Sequence, residues 1–126
     1  MSVTDGHQAL IRRLVTMTTT ASIALPNAPG APGVPRYVVQ EAGGGQNTYT
    51  LDGDTNARPE IVVRCEVEAD TDAAAANALA KALVDRFAVG SKFDGLTVLQ
   101  APNVRPPIVA DGIYAIPVVI RGFMTF

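Results

Sequence analysis

The chain has 126 residues, room for one domain whose single core buries about two thirds of the surface exposed by the unfolded form. Ten basic and twelve acidic residues leave a net charge of −2, which argues against a protein that grips DNA electrostatically over a broad face. One cysteine, Cys65, cannot form an internal disulfide, and with one histidine, His7, it is too small a set for a zinc site. Residues 1–8 carry no basic segment leading into an apolar run, and no window reaches the ~18 apolar residues that span a bilayer. Synthesis in the cytoplasm with no membrane partner is therefore expected.

Helical spacing comes first, over residues 4–18. Leu10, Ile11, Leu14 and Val15 form an apolar stripe there, Arg12 and Arg13 face away, and Thr4 or Asp5 can cap the start. Three β-branched threonines, Thr18 to Thr20, end that helix, and residues 21–25 suit a short edge strand. Residues 26–35 hold four prolines and read as a stiff, extended arm outside the centre of any sheet. A strand over residues 36–41 follows, with Tyr37 and Val39 on one face, and Gly43-Gly44-Gly45 is expected to end it. The glycines open a polar loop or loose hairpin arm, residues 42–58.

Residues 61–69 give the clearest strand, with Ile61, Val63, Cys65 and Val67 inward and Val62, Arg64, Glu66 and Glu68 outward. Asp70 or Thr71 is placed to cap the next helix, in which Ala73, Ala76, Leu79, Ala80, Leu83 and Phe87 recur at helical intervals as far as Gly90. A strand at residues 96–100, a proline-studded loop at 101–109 and a turn at Asp111-Gly112 lead to the last element. That element, residues 113–126, reads as one long apolar strand. Fully extended it would span roughly 46 Å, against a radius of gyration of about 14 Å for a chain of this size. Pro117 and Gly122 should kink it. Val118 and Ile120 share one of its faces while Ala115, Val119 and Phe123 on the other are also apolar, so both faces call for burial. The fold class expected is α+β: one domain over residues 1–126, an antiparallel sheet of four or five strands with two helices on one face. Such a sheet leaves one side of the terminal strand to be covered by a partner.

No set of residues makes a convincing reaction centre. His7 reads as a histidine on a helix surface, away from a Cys65 that points into the core. Asp52-Gly53-Asp54-Thr55-Asn56 opens like a calcium loop but then places Ala57 where the sharp turn wants glycine and Val63 where a bidentate glutamate is required. The triple glycine is followed by no Lys-Ser or Lys-Thr pair and opens no helix, so it is no phosphate cradle. An enzyme, a cofactor or a bound metal is not expected. Arg64, Glu66, Glu68 and Arg121 could form ion pairs across strands if their strands are neighbours.

The order of segments resembles the tail terminator, or minor tail completion, proteins of long-tailed phages and phage-like gene transfer agents. The resemblance is carried by the first helix running into Ala24-Leu25-Pro26-Asn27 and by the proline arm entering Arg36-Tyr37-Val38-Val39. It continues through the glycine loop, the strand over residues 61–68, the alanine-rich helix ending Asp85-Arg86-Phe87, and the closing Asp111-Gly112-Ile113-Tyr114 to Ile116-Pro117-Val118-Val119-Ile120. It implies a non-enzymatic virion protein, made in the host cytoplasm and located at the head-proximal end of the tail. There a hexameric ring of this chain would cap the tail tube, end its polymerisation and offer a docking surface to a head–tail connector or neck protein. DNA would meet it only in passing through the lumen. A tail tube or connector subunit is the alternative within the same setting, and a small-molecule-binding domain or enzyme the alternative outside it. The residues expected at the contact with a neighbouring subunit or the tube are Pro26, Asn27, Arg36, Tyr37, Arg58, Arg64, Val119, Arg121 and Phe123.

Overall fold

The computed structural model describes residues 3–17, 19, 21–26, 33–48, 55–69 and 73–125. Helix α1, Val3–Val15, buries Ala9, Leu10, Ile11 and Leu14 and turns Arg12 and Val15 outward. Its first turn comes so close to the sheet that a Cβ on Gly6 would stand 2.5 Å from Cγ of Pro59. Strand β1, Ser22–Ala24, runs parallel to β2, Arg36–Thr48, which then turns back into β3, Thr55–Glu68. Helix α2, Ala74–Arg86, buries Ala76, Ala80 and Leu83 and ends at Phe87, itself fully buried. The short strands β4, Lys92–Phe93, and β5, Leu96–Thr97, form a separate hairpin. Then come β6, Asn103–Val104, and β7, Ile108–Ala110, followed by β8, Ile113–Arg121, and β9, Met124–Thr125.

The main sheet runs β1-β2-β3-β8-β6, with β7 also paired to β8 and β9 to β3, all antiparallel except β1. The fold is α+β as expected. Among the described residues the main sheet has seven strands and not four or five, because the segment read as a proline-studded loop supplies β6 and β7 to the outer edge of β8 and the terminal strand breaks to give β9. Between them, the Arg105 N–H donates to the Pro117 carbonyl at 2.8 Å. Since N and O of one strand residue point to the same side, the N–H that Pro117 lacks would have faced this interrupted edge and not β3, so the proline costs the central ladder nothing.

The triple glycine does not end its strand. β2 runs through it, and a register shift between Glu41 and Gly44 absorbs the irregularity, with Gly43 at φ 86°. The expected strand at residues 96–100 shrinks to β5. It belongs to a hairpin whose two-residue turn, Asp94-Gly95, has positive φ at both positions, as does Asp111-Gly112 between β7 and β8. The second helix stops at Arg86, short of Gly90, where the Phe87 N–H closes the last turn on the Leu83 carbonyl. The suggested caps Asp70 and Thr71 lie outside the described residues, as do most of the proline arm and Asp52 to Asp54.

The terminal ribbon breaks where glycine was expected to bend it. The Gly122 N–H reaches back to the Pro59 carbonyl at 2.9 Å, Phe123 bridges to Thr97, and β9 resumes against Asn56 and Ala57. A Cβ on Gly122 would stand 3.0 Å from Cδ2 of Leu96. Both faces of Ala115 to Ile120 are buried within the single chain, which corrects the expectation that one face waits for a partner. On the inner face Ile116, Val118 and Ile120 join Tyr37, Ile61, Val63 and Cys65 beneath the helices. On the outer face Ala115 and Pro117 lie beside the longer Glu66 and Arg64 and Val119 beside Val62, their register partners on β3, with β6 and β7 on the other side.

Candidate interaction surfaces

The buried polar groups come first, since they limit what chemistry the chain can do. His7 is buried and not a surface residue: its Nε2 lies 2.5 Å from the Gly43 carbonyl, and Glu41 stands 4.0 Å from Nδ1. It ties α1 to the shifted register of β2. Helical spacing already sets His7 on the apolar stripe, three, four and seven residues before Leu10, Ile11 and Leu14, so its burial is legible in the sequence and the surface reading overlooks it, whereas its partner is not legible, because only the bulge brings Gly43 beneath it. Cys65 is fully buried, and burial pushes its thiol up to about 12. Its cross-strand neighbour Tyr37 donates its hydroxyl to the Leu79 carbonyl at 3.0 Å, and its pKa rises to about 12 through burial and then the nearby Cys65. Both groups stay neutral across the ordinary pH range, and neither is a nucleophile there. Among the described residues no cluster of three or more His, Cys, Asp and Glu is arranged to hold a metal ion.

Charge is organised on the outer face of the sheet. The carboxylate of Glu66, 6% exposed, accepts from Nε of Arg36 at 2.7 Å and lies 3.3 Å from Nε of Arg64. Further along, Arg121 pairs with its register partner Glu60 across β3 and β8 at 3.2 Å. Arg121 therefore pairs across strands with Glu60, which lies outside the expected set, while Arg64 finds Glu66 along its own strand.

Three of the predicted contact residues converge. Arg58, with its guanidinium 6.0 Å from the ring centroid of Phe123, lines with Arg121 a depression of about 460 Å³ that also includes Glu60, Leu99 and Gln100. Pro26 lines a second, shallower depression with Leu25 and the edge of β2. Arg36 and Arg64 sit together on Glu66. Two predictions are corrected: Tyr37 is fully buried under α2, and Val119 is 4% exposed, so neither is a surface residue of this chain. Asn27 lies outside the described residues.

Sequence reasoning missed a third depression, about 300 Å³, between the C-terminal ends of the two helices. Arg13 Nε donates to the Arg86 carbonyl at 3.0 Å, and Arg86 Nε returns a bond to the Arg13 carbonyl at 3.1 Å. Arg86 also donates to Oγ1 of Thr16 at 2.8 Å, and Arg13 stacks 4.6 Å from the centroid of Phe93. Burial first, and then the like charge of Arg86, lowers the pKa of Arg13. The signal available was a basic last turn on each helix, where cations meet the carbonyl end of the dipole.

The fold is one seen before. A solved structure that carries only a serial designation in place of a descriptive name superposes with a TM-score of 0.69 at 19% identity, covering 100% of this chain and 96% of that one. A chain of the virion of a native gene transfer agent particle does so with a TM-score of 0.64 at 17% identity, covering 94% of this chain and 93% of that one. No protein-family model matches the sequence, and no curated protein does. The likeness therefore lies in the fold, over almost the full length in both cases.

Proposed function

We propose that this chain is a structural protein of a phage or gene-transfer-agent particle, forming a ring that caps the tail tube, ends tube growth and presents a docking surface to the neck or head. The observation that carries the reading is the match over nearly all of both chains to a component of a gene transfer agent virion. The resemblance of the segment order to tail terminators, drawn from the residues alone, points the same way. The ring would be a hexamer, with the tube on one side and a connector or neck protein on the other. Closed rings need two different patches on each subunit, and this surface offers separate depressions with distinct lining residues.

Deleting the gene from a particle-producing strain tests the role. The expected result is filled heads beside overlong or unjoined tails, seen by negative-stain electron microscopy. Joined particles of normal length would overturn it. The same microscopy on purified protein separates a terminator, which gives discrete rings, from a tube subunit, which gives filaments.

A further inference from the structure

Leu25 aside, the large apolar side chains exposed among the described residues fall into two groups. Val15 is the last residue of α1, next in the chain to Thr16 of the cleft lining, and Val89 follows the end of α2 at Arg86 by three residues. Leu99, Val104, Ile108 and Val109 follow one another along the outer edge of the sheet, ending at the exposed Asp111-Gly112 turn. The groups differ in charge as well. Among the described residues no ion pair engages Arg13 or Arg86, whereas Arg12 is paired with Asp94 at 3.4 Å, so the cleft keeps two unneutralised guanidiniums. At the other patch Asp111 stands at the tip of a tight turn, exposed, and likewise in no ion pair.

The two patches cannot meet within one subunit. The turn is fixed near the start of α2, since the Ala69 N–H donates to the Gly112 carbonyl at 2.9 Å and the helix begins at Ala74. The cleft lies at Arg86, the far end of that helix, about 20 Å away at 1.5 Å per residue. Opposite charge, matching apolar flanks and location at opposite ends are what a head-to-tail contact between copies requires. A planar guanidinium pair also suits a carboxylate, which it can hold in more than one hydrogen bond.

We propose that the cleft between Arg13 and Arg86 receives Asp111 of a neighbouring copy of this chain, with Ile108 and Val109 of that copy covering Val15 and Val89. This contact rests on the ring reading and names the surfaces that would close the ring. Sedimentation equilibrium of the purified full chain across a concentration series tests it, with Asp111→Asn as the first variant because asparagine tolerates the left-handed backbone at this position. The expected result is a self-associating wild type and at least tenfold weaker association for Asp111→Asn. Placing Asp111→Lys and Arg86→Glu in one chain should recover association relative to Asp111→Lys alone. Asp111→Asn that associates as well as wild type overturns the contact and leaves the ring reading standing. A wild type that stays monomeric at every concentration overturns the contact and leaves the ring reading to the deletion test, since a ring can also assemble only on the tail.

Discussion

The centre of the sheet and its outer edge divide the apolar residues of this chain in opposite ways. β8 is the most apolar stretch in the sequence, yet Ala115 to Ile120 are all buried within one subunit. The segment over residues 101–109 is interrupted by prolines and reads as a loop, yet it carries three of the exposed large apolar side chains, Val104, Ile108 and Val109, with Leu99 just before it. Density of apolar residues thus marks a strand that its own chain covers on both edges. Apolar surface left for others sits on short strands β6 and β7, whose proline break keeps them from templating indiscriminate strand pairing.

The largest effect is expected for Val119→Asp. At 4% exposure beside Val62, an unpaired carboxylate would lose its hydration, and the cost is expected at about 4 kcal/mol or more. An insoluble or unfolded product, read by circular dichroism and thermal melting, is the expected outcome. A folded monomer that merely fails to assemble would return β8 to the subunit interface.

Glu66→Ala comes next. Its carboxylate holds Arg36 and Arg64 on the outer face, and removing it leaves two cations, one of them largely buried, facing each other, at a cost on the order of 3 kcal/mol. Chemical denaturation of Glu66→Ala against a double variant with Arg36→Met checks it: the second change should recover much of the loss. If Glu66→Ala melts like wild type, the trio is only a surface ornament of the sheet.

Much of this architecture is legible in the sequence, and the failures share a cause. Alternation of Ile61, Val63, Cys65 and Val67, and the helical stripes of α1 and α2, give their elements because each is a local periodicity set by the core beneath it. The two hairpin turns have the same Asp-Gly chemistry, yet only Asp111-Gly112 is flanked by a long apolar strand, so Asp94-Gly95 and the small β4–β5 hairpin escape notice. The bond from His7 to Gly43, the run of β2 through its glycines and the edge strand β6 depend on contacts between segments well separated in the chain. The arginine cleft is of this kind too: Arg13 and Arg86 belong to different helices, and nothing in either helix announces the other.

Alkaline titration sharpens the account of the inner face. For Cys65 the folded-state pKa is raised from 9.0 to about 12, and for Tyr37 from 10.0 to about 12. Below the unfolded values both groups are neutral in both states and their contribution to stability is complete. As pH rises from about 9 towards 12 the unfolded chain ionises first, so stability falls by up to about 1.4 kcal/mol per pH unit for each group. Cys65→Ala should flatten the first part of that slope in denaturant melts taken at successive pH values. An unchanged slope would mean the thiol is not held in the dry core.

The smallest effect on stability is expected at the edge, and it carries the most information. Ile108 and Val109 are 56% and 64% exposed, so Ile108→Asp or Val109→Asp exchanges one solvated side chain for another and should move stability by no more than about 0.5 kcal/mol. Their backbone pairing with Ala115 and Tyr114 is untouched by either change. If this edge meets a second copy, the same substitutions place a carboxylate in an interface that already contains Asp111, and association should weaken at least tenfold while the melting curve stays in place. A fall in melting temperature as large as that of Val119→Asp would instead assign these residues to the private core, and the contrast between the two regions would collapse.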